Sequence, residues 1–350
     1  MKKVQKYFAA ANGFNGFKSY FDKVFSPYEL DRIYILKGGP GTGKSSFMKK
    51  IANEFSEKNE VELIYCSSDT HSLDGVIISS DKARIAILDG TAPHATDPHL
   101  PGVVESIINL GEYWNEKTLI NSKENIKIAT KSKAKHYSLA YKYLMLAGKF
   151  DTLTEEIINE IYTVDDSEII CEILGSAISS EKSDIRLITS FSKDGFSSFP
   201  TLAEAARSIK YAVGIYGSEY LFMKHLKKIT DAGRLLYTDF PTPLDENKTE
   251  AIYFPKSEFA ICTENKKTLD TELVIDTSRF IDIHLLSKRR DALEFLWRER
   301  ELMLWNATDE FKKASDAHFE LEKIYTSSMN FEKIDEINQE YVKEIREFLN

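Results

Sequence analysis

Cysteine is scarce in this 350-residue chain, with three residues at 66, 171 and 262. They lie too far apart for a metal-ligand spacing, and an odd count closes no disulfide framework. A reducing compartment is therefore expected. No apolar run approaches the roughly 18 residues that span a bilayer. The opening MKKVQKYFAAANGFNGF carries lysines but no unbroken apolar stretch, so it does not read as a signal peptide. A basic excess is missing too: 46 Lys+Arg stand against 55 Asp+Glu, for a formal net charge of -9. That balance gives no global field for nucleic acid and leaves only a local patch open. The absences point to a cytoplasmic protein. The 42% apolar and 29% charged content over 350 positions suits a globular chain of two domains.

Against this background one segment is highly specific. Gly38-Gly39-Pro40-Gly41-Thr42-Gly43-Lys44-Ser45 fits G-x-x-x-x-G-K-[ST], the phosphate-binding loop of nucleoside triphosphatases and kinases. Glycines let successive N–H groups turn inward to phosphate oxygens. Lys44 supplies a charge for the β- and γ-phosphates, and Ser45 a hydroxyl for Mg²⁺. The surroundings agree. Arg32–Leu36 is a β-branched and aromatic run, and Ser46–Phe55 has helical apolar spacing at 47, 48, 51 and 55. Strand, glycine-rich loop and helix follow in the order phosphate binding needs, because the helix N-terminus adds its dipole. The cradle is expected to run from Gly38 to Ser46, with ATP and Mg²⁺ as cofactors.

Further along, Ala83–Leu88 is a buried-strand candidate ending in Asp89-Gly90. An apolar strand ending in Asp supplies the magnesium carboxylate of such proteins, so Asp89 joins Ser45 as an expected metal ligand. Gly90 stands where many ATPases place a water-activating Glu, so hydrolysis must use another base or be slow. His94 and Asp97, in the proline-stiffened stretch Thr91–His99, are candidates to orient water or sense the γ-phosphate. Asp69 and His71, after the strand Val61–Cys66, compete for that work.

The chain also repeats itself. Asn12–Phe17 is echoed by Asp194–Phe199, Phe47–Ile51 by Phe222–Leu226, and Glu62–Tyr65 by Arg234–Tyr237. Leu73-Asp74 answers to Leu244-Asp245, Ile85–Leu88 to Phe259–Cys262, and Ser106–Asn109 to Leu273–Asp276. Unbroken order at nearly constant spacing predicts a tandem duplication. Aligned on Phe-Met-Lys, Lys44 falls opposite Glu219 and Ser45 opposite Tyr220, in a connection that also reads as shorter. A carboxylate there reverses the sign of the interaction with phosphate, so the second copy is expected not to bind a triphosphate.

With that pattern in view, ILKGGPGTGKSSFMKKI (35–51), YCSSDTHSLDGV (65–76) and ILDGTAPHATDP (87–98) resemble a largely uncharacterised bacterial family of two-lobed, tandem-duplicated P-loop ATPases. The resemblance implies ATP binding and hydrolysis and brings no substrate. Many relatives keep a second lysine loop, from which Glu219 departs. The expected fold is α/β, with P-loop NTPase-type parallel sheets in two tandem lobes, residues 1–165 and 166–350, the second degenerate.

Each lobe runs on into helix. Asn115 to about Ala147 and Asp151–Tyr162 follow the first; Ile281–Tyr325 and Phe331–Leu349 follow the second. Helical hairpins, packed together or projecting as an arm, are expected. Lys123, Lys127, Lys131 and Lys135 wind round one side of the first helix and offer a polyanion or protein contact, or else a solvated face. Lys288-Arg289-Arg290 is similar, and Arg279 or Arg234 is a candidate arginine finger. The leading expectation is an Mg²⁺-dependent ATP hydrolase that moves its lobes or helices. A small-molecule or nucleotide kinase, and a nucleotide-gated nucleic-acid or protein binding module, are the alternatives.

Overall fold

The computed structural model describes residues 4–175, 184–263 and 274–350. The first lobe begins with β1 (Val4–Phe8), the hairpin β2 (Ala10–Gly13) and β3 (Gly16–Ser19), and the short α1 (Phe21–Val24). Next come β4 (Arg32–Lys37), α2 (Lys44–Phe55), β5 (Glu60–Tyr65), β6 (Leu73–Ser79), β7 (Arg84–Asp89) and β8 (Glu105–Asn109). The sheet order is β1-β5-β6-β7-β4-β8. It is mixed rather than parallel, since β6 runs antiparallel to both β5 and β7. Only residues 66–72 join β5 to β6, too few for a parallel crossover, which takes a dozen or more.

The chain leaves this lobe through α3 (Glu116–Asn121) and α4 (Lys123–Ile161), then α5 (Ser167–Leu174). The second lobe repeats the plan: β9 (Asp184–Ile185), the hairpin β10 (Thr189–Ser192) and β11 (Gly195–Ser198), α6 (Thr201–Ala205), β12 (Ser208–Val213), α7 (Ser218–Ala232), β13 (Thr238–Pro241), β14 (Thr249–Phe254), β15 (Phe259–Cys262) and β16 (Val274–Asp276). Its order, β16-β12-β15-β14-β13-β9, is the first sheet strand for strand, with β14 as the antiparallel member. The long α8 (Ile283–Thr326) and α9 (Phe331–Leu349) complete the chain.

Several sequence equivalences shift once strand register is used. The first hairpin turns at Gly16 and the second at Gly195, so Phe17 answers to Phe196 rather than Phe199. Arg234–Tyr237 precedes β13, and Tyr65 answers to Pro241, because Tyr65 pairs with Leu73 as Pro241 pairs with Thr249. Asp74 then answers to Glu250, not Asp245. Leu273 lies outside the described residues, but Asn109 and Asp276 correspond as expected: each caps a short 3-10 turn by accepting from the amide two residues on.

One face of each sheet turns to a core shared by both lobes, where Ile33, Ile35, Ile64 and Leu88 meet Leu187, Phe240, Ala251 and Ala260. A bridge between Phe8 and Leu187 ties the lobes there. The other faces carry α2 and α7. Burial on both faces explains why β4 and β7 read as continuous apolar runs.

Among the described residues no helical arm projects. α4 leaves the first lobe and ends at the second, where Tyr162 bridges Ile281; α8 runs back and ends where Met329 bridges Trp114. At about 1.5 Å per residue these helices of 39 and 44 residues extend roughly 60 Å, packed antiparallel along each other. Helix continues through Gly148 instead of breaking before Asp151. A Cβ at 148 would lie 2.7 Å from Phe14 Cβ, so glycine serves close approach of the first hairpin. The terminal helices then exchange: α5 packs Ile170 and Ile173 onto α7 of the second lobe, and α9 packs Ile334, Ile345 and Leu349 onto α2 of the first.

Candidate functional site

Between β4 and α2, five residues (38–42) precede Gly43, which takes φ 88° at the helix N-cap. That left-handed conformation favours glycine. Lys44 opens the helix and folds back, its Nζ donating to the carbonyls of Gly38 (3.0 Å) and Gly39 (2.9 Å). The same nitrogen lies 3.6 Å from Asp89 Oδ2, at the tip of the neighbouring β7, with both side chains largely buried. Among the described residues, no acceptor takes a hydrogen bond from the amides of Gly39 and of Gly41 through Ser46. A helix leaves its first four N–H groups unpaired, and here the preceding loop adds more, all beside one ammonium.

Asp89 is held by Thr91, whose amide and hydroxyl both donate to Oδ1 (2.9 and 2.6 Å), which leaves Oδ2 facing Lys44. Ser45 Oγ accepts from Leu73 N (2.9 Å) and keeps its own proton. Among the described residues no three His, Cys, Asp or Glu gather as a metal site. One carboxylate and one hydroxyl beside these unpaired amides could nevertheless hold Mg²⁺, an ion that keeps several waters and takes other ligands from phosphate where one is bound.

His94 is buried and fully engaged. Nδ1 bonds the Asp89 carbonyl at 2.9 Å, Nε2 meets Asp74 Oδ2 at 3.3 Å, and the ring stacks on Phe21. Burial opposes its charge, but the hydrogen bond and charge of Asp74, with Asp89 adding, raise its pKa above the usual histidine value. It therefore supports the Asp89 backbone, with no ring nitrogen left over for water. Asp69 is spent locally, accepting from His71 N (3.2 Å) and Ser72 Oγ (3.1 Å). His71 is exposed. Asp97 is exposed and pairs with Lys37 (3.0 Å), whose Nζ also donates to the carbonyls of Gly90 and Thr96 and pins this loop. Neither Lys37 nor Asp74 stood out in the sequence, where each is a single charged residue at a strand end.

The second lobe is built differently at the same place. Only three residues (214–216) separate β12 from Gly217, the glycine of φ 86° that caps α7, so the connection is shorter by two. Counted from these glycines, Ser218 holds the place of Lys44 and Glu219 that of Ser45, one residue from the sequence alignment; no ammonium stands there in either register. Ser218 Oγ accepts from Ile215 N (3.1 Å), and the amides of Ser218 and Tyr220 are taken by the carbonyls of Ile215 (3.1 Å) and Gly217 (3.0 Å). This loop closes on itself. Glu219 Oε2 comes within 2.7 Å of the point a Gly214 Cβ would occupy, sealed from solvent and with no hydrogen-bond partner. The carboxylate of β7 is gone as well. Ile35 pairs with Leu88 as Tyr211 pairs with Cys262, so Thr263 stands where Asp89 does.

The remaining cations lie elsewhere. Lys123, Lys127, Lys131 and Lys135 are exposed on α4, with Lys127 paired to Glu124. Arg289 pairs with Glu160, and Arg279 lies over Phe280 in the second lobe. Arg234 is exposed in the turn after α7. None of these is brought to the first loop. What does reach it is the end of α8. A Cβ at Gly39 would touch Tyr325, and Thr326 Oγ1 donates to the Gly41 carbonyl (3.2 Å). No family model matches this chain, nor does any curated protein or solved structure match it significantly. Among the described residues no helix is long and apolar enough to cross a membrane.

Proposed function

We propose that the chain binds one ATP with Mg²⁺ in its first lobe and hydrolyses it slowly, and that the nucleotide state biases the inter-lobe helices. The contrast between the two loops carries this reading: unpaired amides around Lys44 and Asp89 in one, a self-closed turn in the other. With a triphosphate present, the Lys44 ammonium exchanges the carbonyls of Gly38 and Gly39 for β- and γ-phosphate oxygens. The amides from Gly41 to Ser46 donate to the same tail. Asp89 and Ser45 would hold Mg²⁺, which when bound would neutralise charge developing on the phosphates. Such sites work by positioning and electrostatics, so removal of the lysine is severe.

A glutamate base directly after Asp89 is absent, and His94 has no spare nitrogen, which supports slow turnover. Coupling follows from the packing of Tyr325 and Thr326 on Gly39 and Gly41, because a loop that closes on phosphate pulls on the end of α8. Titration calorimetry with Mg²⁺-ATP on the full chain and on Lys44→Ala tests the reading. Sub-millimolar binding lost in the variant is expected; equal binding by both proteins refutes the assignment of the site.

A further inference from the structure

The duplication carries a second observation about the first-lobe site. A constant spacing of 167 residues relates the bridge Trp114–Met329 to the bridge Ile281–Tyr162, with the two partners exchanged. It also relates the hydrogen bond from Asn115 N to Ser328 O (2.7 Å) to that from Asp282 N to Ile161 O (2.8 Å). The helical pair therefore has one register about a local twofold axis. That register places Lys133 of α4 opposite Arg300 of α8, His318 opposite Asp151, and Glu322 opposite Glu155.

In the second lobe this set is closed on itself. Arg300 Nε bonds Asp151 Oδ1 at 2.9 Å, Lys248 pairs with Asp151 and with Glu155 (3.2 Å), and Arg300 lies close enough to act on the Glu219 carboxylate in the loop. The helix cation there is met by carboxylates of the chain itself, Asp151 beside it and Glu219 near it in the loop. In the first lobe two of those acids are replaced and one, Glu155, persists as Glu322. Lys133 Nζ lies 3.0 Å from His318 Nδ1 where Arg300 has an aspartate, and Ser45 takes the place of Glu219. Burial pulls the Lys133 ammonium below the usual lysine value, and Lys44 adds to the pull; Cys66 and Glu322 oppose it. Burial and Asp74 push the Cys66 thiol up, so it brings no negative charge at neutral pH. One turn on, Tyr137 faces Ser68 at the tip of β5. The site thus holds two ammonium groups: Lys44 beside Asp89, and Lys133, whose partner His318 lies 3.6 Å from Glu322, a residue whose backbone packs against Gly41 of the loop.

We propose that Lys133 is a second phosphate-binding cation of this site, carried over the loop by α4 to contact the terminal phosphate of the triphosphate that Lys44 grips. This rests on the nucleotide reading of the Gly38–Ser45 loop and adds a residue to it. The terminal phosphate is the partner because Lys133 lies near Cys66 and Lys44, and Cys66 neighbours Asp74, whose carboxylate meets the His94 that supports Asp89. The first lobe would thereby read ATP against ADP through the helix that ends in the second lobe.

The test compares Mg²⁺-ATP and Mg²⁺-ADP affinities of the full chain by titration calorimetry for wild type, Lys133→Met and His318→Asp, with Lys44→Ala as the loop control. Met keeps the stem of the lysine, and Asp at 318 recreates the pairing that Asp151 gives Arg300. Each of the two variants should weaken ATP at least tenfold and leave ADP within about twofold. Should Lys133→Met fail to fold, His318→Asp alone decides. ATP affinity unchanged, or ATP and ADP weakened alike, while wild type binds ATP through Lys44, overturns the role of Lys133 and leaves the loop assignment standing. No ATP binding by wild type overturns the nucleotide reading and this proposal together.

Discussion

A Cβ placed on Gly90 would lie 2.3 Å from Ile35 Cγ2, inside the first sheet next to Asp89. No side chain fits there without moving Ile35, so the position after Asp89, the proposed magnesium carboxylate, is closed to the water-activating glutamate found in many ATPases. Gly90→Ala is expected to overpack the core and cost about 1–3 kcal/mol. The urea midpoint should fall with the slope unchanged. A midpoint equal to wild type would mean that the strand yields, and would reopen the position to a base.

One nucleotide per chain is the expected stoichiometry. The second loop is two residues shorter, bonds its own amides, and faces Thr263 instead of an aspartate. Putting back the lysine alone, as Ser218→Lys, should therefore create no second site, while Lys44→Ala abolishes the first. Calorimetric titration reads both: a stoichiometry near two for either wild type or Ser218→Lys would contradict the degenerate reading of the second lobe.

The sequence made the loop, its flanking strand and helix and Asp89 legible, because each has a local signature: glycine spacing, apolar periodicity, an Asp at a strand end. The duplication was legible for the same reason, although Arg234–Tyr237 was placed four residues early, where apolar residues precede the strand without joining it. The long helices were seen, but their course was not. Nothing local in Ile334, Ile345 or Leu349 says that this stripe serves the opposite lobe. Nothing local separates Lys133 from its neighbours Lys123, Lys127, Lys131 and Lys135; only the register of α4 against α8 distinguishes it. His94 looked free to act on water until Asp74, twenty residues away in the chain, took its second nitrogen.

Glu250, the counterpart of Asp74, has no histidine partner. Its Oε1 is sealed from solvent without a hydrogen bond, and burial pushes its pKa from 4.5 up to about 8, opposed weakly by Thr189. The folded-state pKa lies above the unfolded one. The stability this group contributes is therefore full below about pH 4.5 and is lost as pH rises to about 8. Glu250→Gln keeps the shape and removes the titration. Relative to wild type it should gain on the order of a few kcal/mol between pH 5 and pH 8.5, measured as the change in the difference of urea stabilities. A difference that stays constant over that interval would show that the carboxyl is solvated in the folded protein.

The exchange of terminal helices makes a prediction about the halves. Ile345 is fully buried against the outer face of the first sheet, Asn338 Nδ2 donates to the Phe47 carbonyl (3.0 Å), and Tyr34 donates to Glu344 (2.8 Å). The outer core of the first lobe is therefore completed by the last twenty residues of the chain. Ile345→Ala should cost about 2–5 kcal/mol, the range for a large side chain removed from a packed core. Deleting 331–350 should do more, exposing Phe47, Met48 and Phe55 on α2 at once, and should melt the first lobe well below the intact chain. A fragment ending at residue 165 lacks the same helix and should not unfold cooperatively. Thermal denaturation followed by circular dichroism reads all three. A sharp, wild-type-like transition in the 1–165 fragment would show that the first lobe closes its own core, and that α9 is only an accessory to it.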